Sequence, residues 1–267
     1  MQNKLKSEGK CLLCGKMFSK AGINRHLAAH LKEKEIVCRP GKSFLVMVET
    51  SKRRASTPYF LCLWIDGKSE METLDRFLRD IWLECCDHKS EFRKQEDEKL
   101  KKEKDKKIHN LIQQDRMEEA MRFIGMNYYS EDDEISIFNT ANEVFQKGAV
   151  LEFNFDYCHQ FASPTFLNIT VIEEYFVKAD SEIVLLSRNE PLAIICRDCG
   201  KMSASKMCIA HQQYRWLCDE CAQEHAKICS AFNDNAAKQI VNSPRMGTCR
   251  YAGGTIDTER DGIFQMK

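Results

Sequence analysis

The residues in this chain best equipped for chemistry are its fourteen cysteines and seven histidines. Twelve of them fall into two tight groups near the chain ends. The first group is Cys11-x2-Cys14-x11-His26-x3-His30. A Cys-x2-Cys pair suits a tight hairpin knuckle, and two histidines four apart lie on one helical face, so the four can converge on one tetrahedral zinc. Phe18 and Ile23 stand where a small ββα unit needs its apolar core. The second group runs Cys196-x2-Cys199-x8-Cys208-x2-His211-x6-Cys218-x2-Cys221-x3-His225-x3-Cys229. Its eight ligand-type residues form four close pairs, enough for two zinc ions with four ligands each. Three zinc ions in all are therefore expected.

Sequence order leaves the pairing in the second group open. An interleaved module joins the first pair to the third and the second to the fourth, and a sequential module joins neighbours. In a third arrangement only Cys196, Cys199, Cys218 and Cys221 hold metal, and the other four are ordinary residues. Cys249 lies beyond the group as a substitute ligand. Closed four-ligand sites leave no open position for a reacting water, so the zinc is expected to be structural.

These groups need elements to position them. At 267 residues, with 43% hydrophobic residues, the chain can build a substantial core. Its 40 basic and 40 acidic residues cancel, which excludes a global field drawing the whole molecule to nucleic acid or membrane. The segment from 37 to 190 reads as one α+β domain, preceded by a finger at 1–36 and followed by a zinc module and tail at 191–267. Apolar, β-favouring runs at Phe44–Glu49 and Tyr59–Ile65 predict two strands, and Leu151, Phe153, Phe155 and Leu167, Ile169, Val171 alternate as two more. Between the pairs, Ser69-x-x-Glu72 has the form of a capping box, and Leu74, Phe77, Leu78, Ile81, Trp82 and Cys85 recur at helical spacing. One helix is thus expected to cover the sheet. An insertion at about 91–125 includes Arg93 to Lys107, where thirteen of fifteen residues are charged; it reads as a solvated helix or insertion, followed by an amphipathic helix at Leu111 to Ile124.

The finger segment resembles two-Cys/two-His zinc fingers, with one residue fewer than usual between the ligand pairs. That resemblance puts Ser19, Gly22 and Arg25 at the base-facing positions, and only Arg25 carries the fork that pairs with guanine. Residues 1–35 hold eight Lys/Arg against three Asp/Glu, so Lys16, Lys20 and Arg25 are candidates for weak phosphate contact without sequence choice. The ligand order of the second group, above all Cys218-Asp-Glu-Cys221-Ala-Gln-Glu-His225, resembles cross-braced B-box-type modules, which implies a protein-interaction platform.

The middle of the chain carries a further resemblance. Pro58 through Trp64, the run Leu74-Asp-Arg-Phe-Leu-Arg-Asp-Ile-Trp-Leu-Glu-Cys-Cys-Asp-His-Lys-Ser-Glu-Phe92, and Gly148-Ala-Val-Leu-Glu-Phe-Asn-Phe-Asp156 resemble the insertion-element passenger TnpR family, also described as Ri-plasmid ORF-three-like. The tail Val241-Asn-Ser-Pro-Arg-Met-Gly-Thr-Cys249 resembles members with an extra zinc module. The resemblance implies an α+β fold and a mobile-element setting. Phe155-Asp156-Tyr157-Cys158 stands where the family has Tyr-Asp-Phe-Gly, so a turn glycine is missing.

Enzymatic signatures are few. The sequence has no phosphate-cradling Gly-rich motif, no His-Glu-x-x-His and no nucleophile elbow. Asp156, Cys158 and His159 lie close in sequence, and Cys85, Cys86 and His88 follow the expected helix; a metal or thiol site drawn from both stands against a reading of Cys85 as a small hydrophobe of the helical stripe. The function that emerges is a non-enzymatic zinc-binding adaptor or nucleic-acid-associated accessory protein with a protein partner. The alternative is a metal-dependent hydrolase or nuclease around Asp156 and His159. The opening residues lack the apolar stretch of a signal peptide and no apolar run approaches the ~20 residues of a spanning helix, so no membrane partner and a cytoplasmic location are expected.

Overall fold

The computed structural model describes residues 7–35, 40–51, 59–95, 98–128, 134–156 and 163–262. The chain opens with β1 (Glu8–Lys10), β2 (Met17–Ser19) and α1 (Lys20–Glu35), an antiparallel hairpin and helix in ββα order. Next come β3 (Pro40–Thr50), β4 (Phe60–Asp66), α2 (Met71–Leu78), β5 (Ser90–Lys94), α3 (Glu98–Gln113), α4 (Met117–Tyr128), β6 (Glu134–Ile135), α5 (Ala141–Val144), β7 (Val150–Phe155), β8 (Thr165–Val177) and β9 (Ile183–Arg188). The last part holds β10 (Lys206–Cys208), β11 (Arg215–Leu217), α6 (Asp219–Ile228) and β12 (Ala237–Gln239). Among the described residues no helix is long and apolar enough to cross a membrane.

Seven strands form one antiparallel sheet in the order β6-β5-β7-β8-β3-β4-β9. Its neighbouring strands β3 and β4 are apolar on both faces, and alternation along them sends their side chains into two different cores. Phe44, Val46, Val48, Leu61, Leu63 and Ile65 face α2 and the π-turn after it, where Met71, Leu74, Leu78, Ile81 and Trp82 share their core. Leu45, Met47, Phe60, Cys62 and Trp64 face the other way and meet Ile23, Leu27 and Leu31 of α1. The sheet therefore has a helix on each face, and the second is supplied by the finger.

The contact between finger and sheet is specific. The backbone N–H of Leu12 donates to Leu186 O at 2.9 Å, and that of Glu190 donates to Glu8 O at 2.8 Å. At Gly9 a Cβ would lie 2.7 Å from Phe60 Cζ and 2.9 Å from Arg188 O, so this close approach admits only glycine. Lys20 is ion-paired with Glu49 of β3, and Asn24 Nδ2 lies 3.4 Å from Met47 Sδ.

Three expectations about local structure need correction. Ser69 does not cap α2: its hydroxyl donates to Glu182 O at 2.8 Å, and α2 begins after Glu70 without a side-chain cap. The capping box belongs instead to Thr140 and Glu143 at the start of α5. The stripe from Leu74 also stops short of Cys85, because the helix widens into a π-turn at Arg79–Leu83 and ends at Glu84. Finally, Leu111 to Ile124 is not one helix. The backbone breaks at Asp115 (φ 56°), so the charged run supplies most of α3 and packs with α4 as a helical hairpin.

Candidate metal centres

The finger ligands converge as the spacing predicts. The ligand atoms of Cys11, Cys14, His26 and His30 all lie within 4.8 Å of one another. Cys14 Sγ is 3.2 Å from His26 Nε2, and the two imidazole Nε2 atoms are 3.1 Å apart. The knuckle closes by a hydrogen bond from the Gly15 N–H to Cys11 O at 2.8 Å, which requires the left-handed backbone that Gly15 adopts (φ 78°). Phe18 stacks on His26 with ring centroids 4.0 Å apart. Burial, and then the neighbouring His30 and Lys16, lower the pKa of His26 and favour the neutral imidazole that binds metal.

In the C-terminal module the structure selects the interleaved pairing. Cys196, Cys199, Cys218 and Cys221 form one cluster, and Cys208, His211, His225 and Cys229 form another, each with its ligand atoms within 4.8 Å of one another. The first knuckle repeats the finger's: Gly200 (φ 66°) donates its N–H to Cys196 O at 3.0 Å. Cys218 immediately precedes α6, which places Cys221 in its first turn and His225 and Cys229 one and two turns further on. Cys208 ends β10 and His211 occupies the following turn, so strand and helix bring the second and fourth pairs together. Cys199 Sγ lies 3.9 Å from Cys218 Sγ, and His211 Nε2 lies 3.3 Å from His225 Nε2.

Backbone and neighbours tune these thiols in opposite directions. The backbone N–H groups of Met202 and Lys201 bring Cys199 down to about 7, stabilising its thiolate. Crowding against Cys218, with burial and Cys196 behind it, pushes Cys221 up to about 12. A divalent cation bound among these thiols would favour the thiolate form of each. His225 is lowered by burial, Arg215 and His211, which again favours the neutral ring.

A further cluster joins Cys85, Cys86 and His88 to Cys249 of the tail. The ligand atoms of Cys85, Cys86, His88 and Cys249 lie within 4.8 Å of one another. Cys85 is therefore no apolar stripe residue, and Cys249 does not substitute in the C-terminal module. It arrives here because the tail folds back onto the middle of the chain. Ser243 Oγ donates to Trp82 O at 2.7 Å, Asn242 and Asn189 exchange hydrogen bonds at 2.7 Å, and Gly254 passes so close that a Cβ would lie 2.5 Å from Ile81 O. Signals for this site were present in the sequence, in Cys85-Cys86-Asp-His88 and in the tail, but no spacing rule connects ligands so far apart.

Asp156 is fully engaged beside this cluster. Its Oδ2 accepts from Arg245 Nη2 at 2.7 Å and its Oδ1 lies 3.1 Å from His88 Nδ1. Burial raises its pKa, but Arg245, the Ser163 N–H and His88 together bring it below the usual carboxylate range. The guanidinium groups of Arg79 and Arg245 stand 5.0 and 4.9 Å from the Phe155 ring, and Asp156 itself has φ 59°, the conformation a glycine would relieve. Tyr157, Cys158 and His159 lie outside the described residues. Of the three basic candidates in the finger, Lys16 and Arg25 are exposed, whereas Lys20 is held by Glu49. No known family model, curated protein or solved structure matches this chain.

Proposed function

We propose that this protein is a zinc-binding adaptor, without catalytic activity of its own, that serves a mobile element or a system acting on one and is related to the TnpR passenger proteins. The observation that carries the reading is the pair of interleaved clusters at Cys196–Cys229, each offering four Cys/His ligand atoms, the full tetrahedral set of a structural zinc. Such a module holds a surface in shape, and this one leaves Met202, Tyr214 and Ile228 in solvent, side chains of the kind a protein partner covers. The mobile-element setting rests on the resemblance of Leu74 to Phe92, Gly148 to Asp156 and the Val241 to Cys249 tail.

The packing of α1 supports an adaptor over a base-reading finger. Ile23, Leu27 and Leu31 point into the sheet, so one side of the helix is unavailable to a major groove. Contact with nucleic acid is left to Arg25, Lys16 and other exposed cations, and is weak, sequence-tolerant and steeply salt-dependent. The hydrolase alternative is disfavoured by Asp156, whose two oxygens are occupied by Arg245 and His88.

Two measurements test the proposal. Protein purified without chelator should carry at least three zinc ions, from the three clusters of the finger and C-terminal module; one or fewer would overturn the modular reading. Titration of duplexes of unrelated sequence should give similar weak binding that falls with salt. Tight, salt-resistant, selective binding abolished by Arg25→Ala would refute it, and so would divalent-metal-dependent nuclease activity lost in Asp156→Asn.

A further inference from the structure

We propose that Cys85, Cys86, His88 and Cys249 form a fourth zinc site, which staples the C-terminal tail to the loop after α2. It is distinct from the three clusters of the finger and the C-terminal module and independent of the adaptor reading.

The geometry is that of a prepared ligand set. Cys86 Sγ and Cys249 Sγ are 3.5 Å apart across 163 residues of sequence, and the four ligand atoms lie within 4.8 Å of one another. Three thiols and one imidazole are a recognised donor set for structural zinc. The loop that presents three of them is held from beneath. Glu84 Oε1 accepts the backbone N–H groups of Cys85 and Cys86 at 2.8 Å and of Asp87 at 2.5 Å. Arg79 anchors that carboxylate at 2.7 Å and donates to His88 O at 2.7 Å. Asp87 (φ 56°) and Cys249 (φ 50°) are both in the left-handed region. A non-glycine residue there carries strain that surrounding structure must offset, and such residues gather at functional sites.

The histidine is oriented as a ligand is. His88 Nδ1 lies 3.1 Å from Asp156 Oδ1, so Nδ1 carries the proton and donates it to the carboxylate. This fixes the tautomer that leaves a lone pair on Nε2, which is buried and has no hydrogen-bond partner. A carboxylate behind a ligating histidine is the usual outer partner of a zinc site. Arg245, bonded to Asp156 at 2.7 Å and 3.9 Å from Cys85 Sγ, places a positive charge where three thiolates would accumulate a negative one. The competing fate of two thiols at 3.5 Å is a disulfide, but that would leave Cys85 and the Nε2 of His88 without a role.

The test is zinc stoichiometry of the full chain, wild type against Cys249→Ser and Cys86→Ala, with far-UV circular dichroism to confirm folding. Both variants should lose one equivalent of zinc and keep the rest. In the cobalt-substituted protein, the difference spectrum between wild type and variant should show thiolate-to-cobalt charge transfer and tetrahedral d–d bands. The two variants remove ligands from opposite sides of the contact, so failure of one to fold leaves the other informative. An unchanged zinc content in both folded variants would overturn the site, as would peptide mapping that finds a Cys86–Cys249 disulfide in wild-type protein purified under reducing conditions. The loss of one equivalent supports the site whatever the wild-type total. A total below four together with that loss places the deficit in the finger or the C-terminal module.

Discussion

Leu27→Ala distinguishes a finger built into the central domain from a finger merely tethered to it. Leu27 is fully buried in the core shared by α1 and the sheet, with Leu45, Met47, Phe60 and Trp64 in the same cluster. The substitution removes three carbons from that core. At about 0.8 kcal/mol per buried methylene the transfer loss is about 2.4 kcal/mol. A partly collapsed cavity adds about 1 kcal/mol, giving about 3 kcal/mol in all. That is a large share of the ~5–15 kcal/mol that holds a typical domain together. For an ordered chain of this size it corresponds to a fall in Tm of roughly 6–12 °C, at ~2–4 °C per kcal/mol. Urea unfolding followed by tryptophan fluorescence, in excess zinc, reads the effect at the sheet, because Trp64 is buried in this same core. The control is Ala29→Ser on the exposed side of α1, expected to stay within about 0.5 kcal/mol. A loss below about 1 kcal/mol for Leu27→Ala, with the finger still folded, would refute the claim that α1 is structural cover for the sheet.

Other outcomes follow from the same geometry. Cys218→Ser should release more than one equivalent of zinc from the full chain and make residues 196–229 protease-sensitive, because each ion of an interleaved pair holds the loop that presents the other; metal analysis showing loss of a single equivalent would favour independent sites. Arg245→Leu should destabilise by about 3–5 kcal/mol by leaving the Asp156 carboxylate buried without its partner, and thermal unfolding of this variant should show a much larger loss than Arg76→Leu, whose ion pair with Glu72 is exposed. Gly9→Ala should weaken the contact between β1 and β9 because its new Cβ meets the backbone carbonyl of Arg188; hydrogen exchange at Leu12 and Glu190 is the readout, and unchanged protection there would count against the docking.

Much of this molecule was legible in its sequence where the determining contacts are local. Alternation at Leu151, Phe153, Phe155 and at Leu167, Ile169, Val171 located β7 and β8, and the finger's ligand spacing located a helix bearing His26 and His30. β3 and β4 were equally plain as apolar runs, but a strand buried on both faces does not say what covers each face. The sequence therefore predicted one helix where there are two. Ser69 shows the limit of a motif: its hydroxyl is drawn to the Glu182 carbonyl across the fold, and the cap forms elsewhere. For Cys85 the periodicity itself misled. A helix carried through it would have buried the thiol among leucines, but the π-turn at Arg79–Leu83 rotates the chain and delivers the thiol to Cys86, His88 and Cys249.

The placement of the clusters has a physical logic that the sheet alone does not supply. β3 and β8 pair over their length although more than a hundred residues separate them, and contacts of that span carry a large loop-closure cost. A metal held by Cys11, Cys14, His26 and His30 would limit this cost at one end, since it would let the ββα unit form from local sequence with Ile23, Leu27 and Leu31 on the face that packs on Leu45, Met47, Phe60 and Trp64. At the other end the buried polar residues of the tail, Asn242, Ser243 and Arg245, have their partners on Asn189, Trp82 and Asp156. Those partners stand at the end of β9, in the π-turn and at the end of β7. Each tail contact is polar and would be matched by water in the unfolded chain, so hydrogen bonding by itself stabilises the arrangement only modestly. What makes it unique is that the buried groups are satisfied together in one registration of the tail, and any slip leaves the Arg245 and Asp156 charges unpaired in the interior. That registration is also the one that brings Cys249 to Cys85, Cys86 and His88, so the polar network sets the position and the ligand cluster lies where a single ion would lock it.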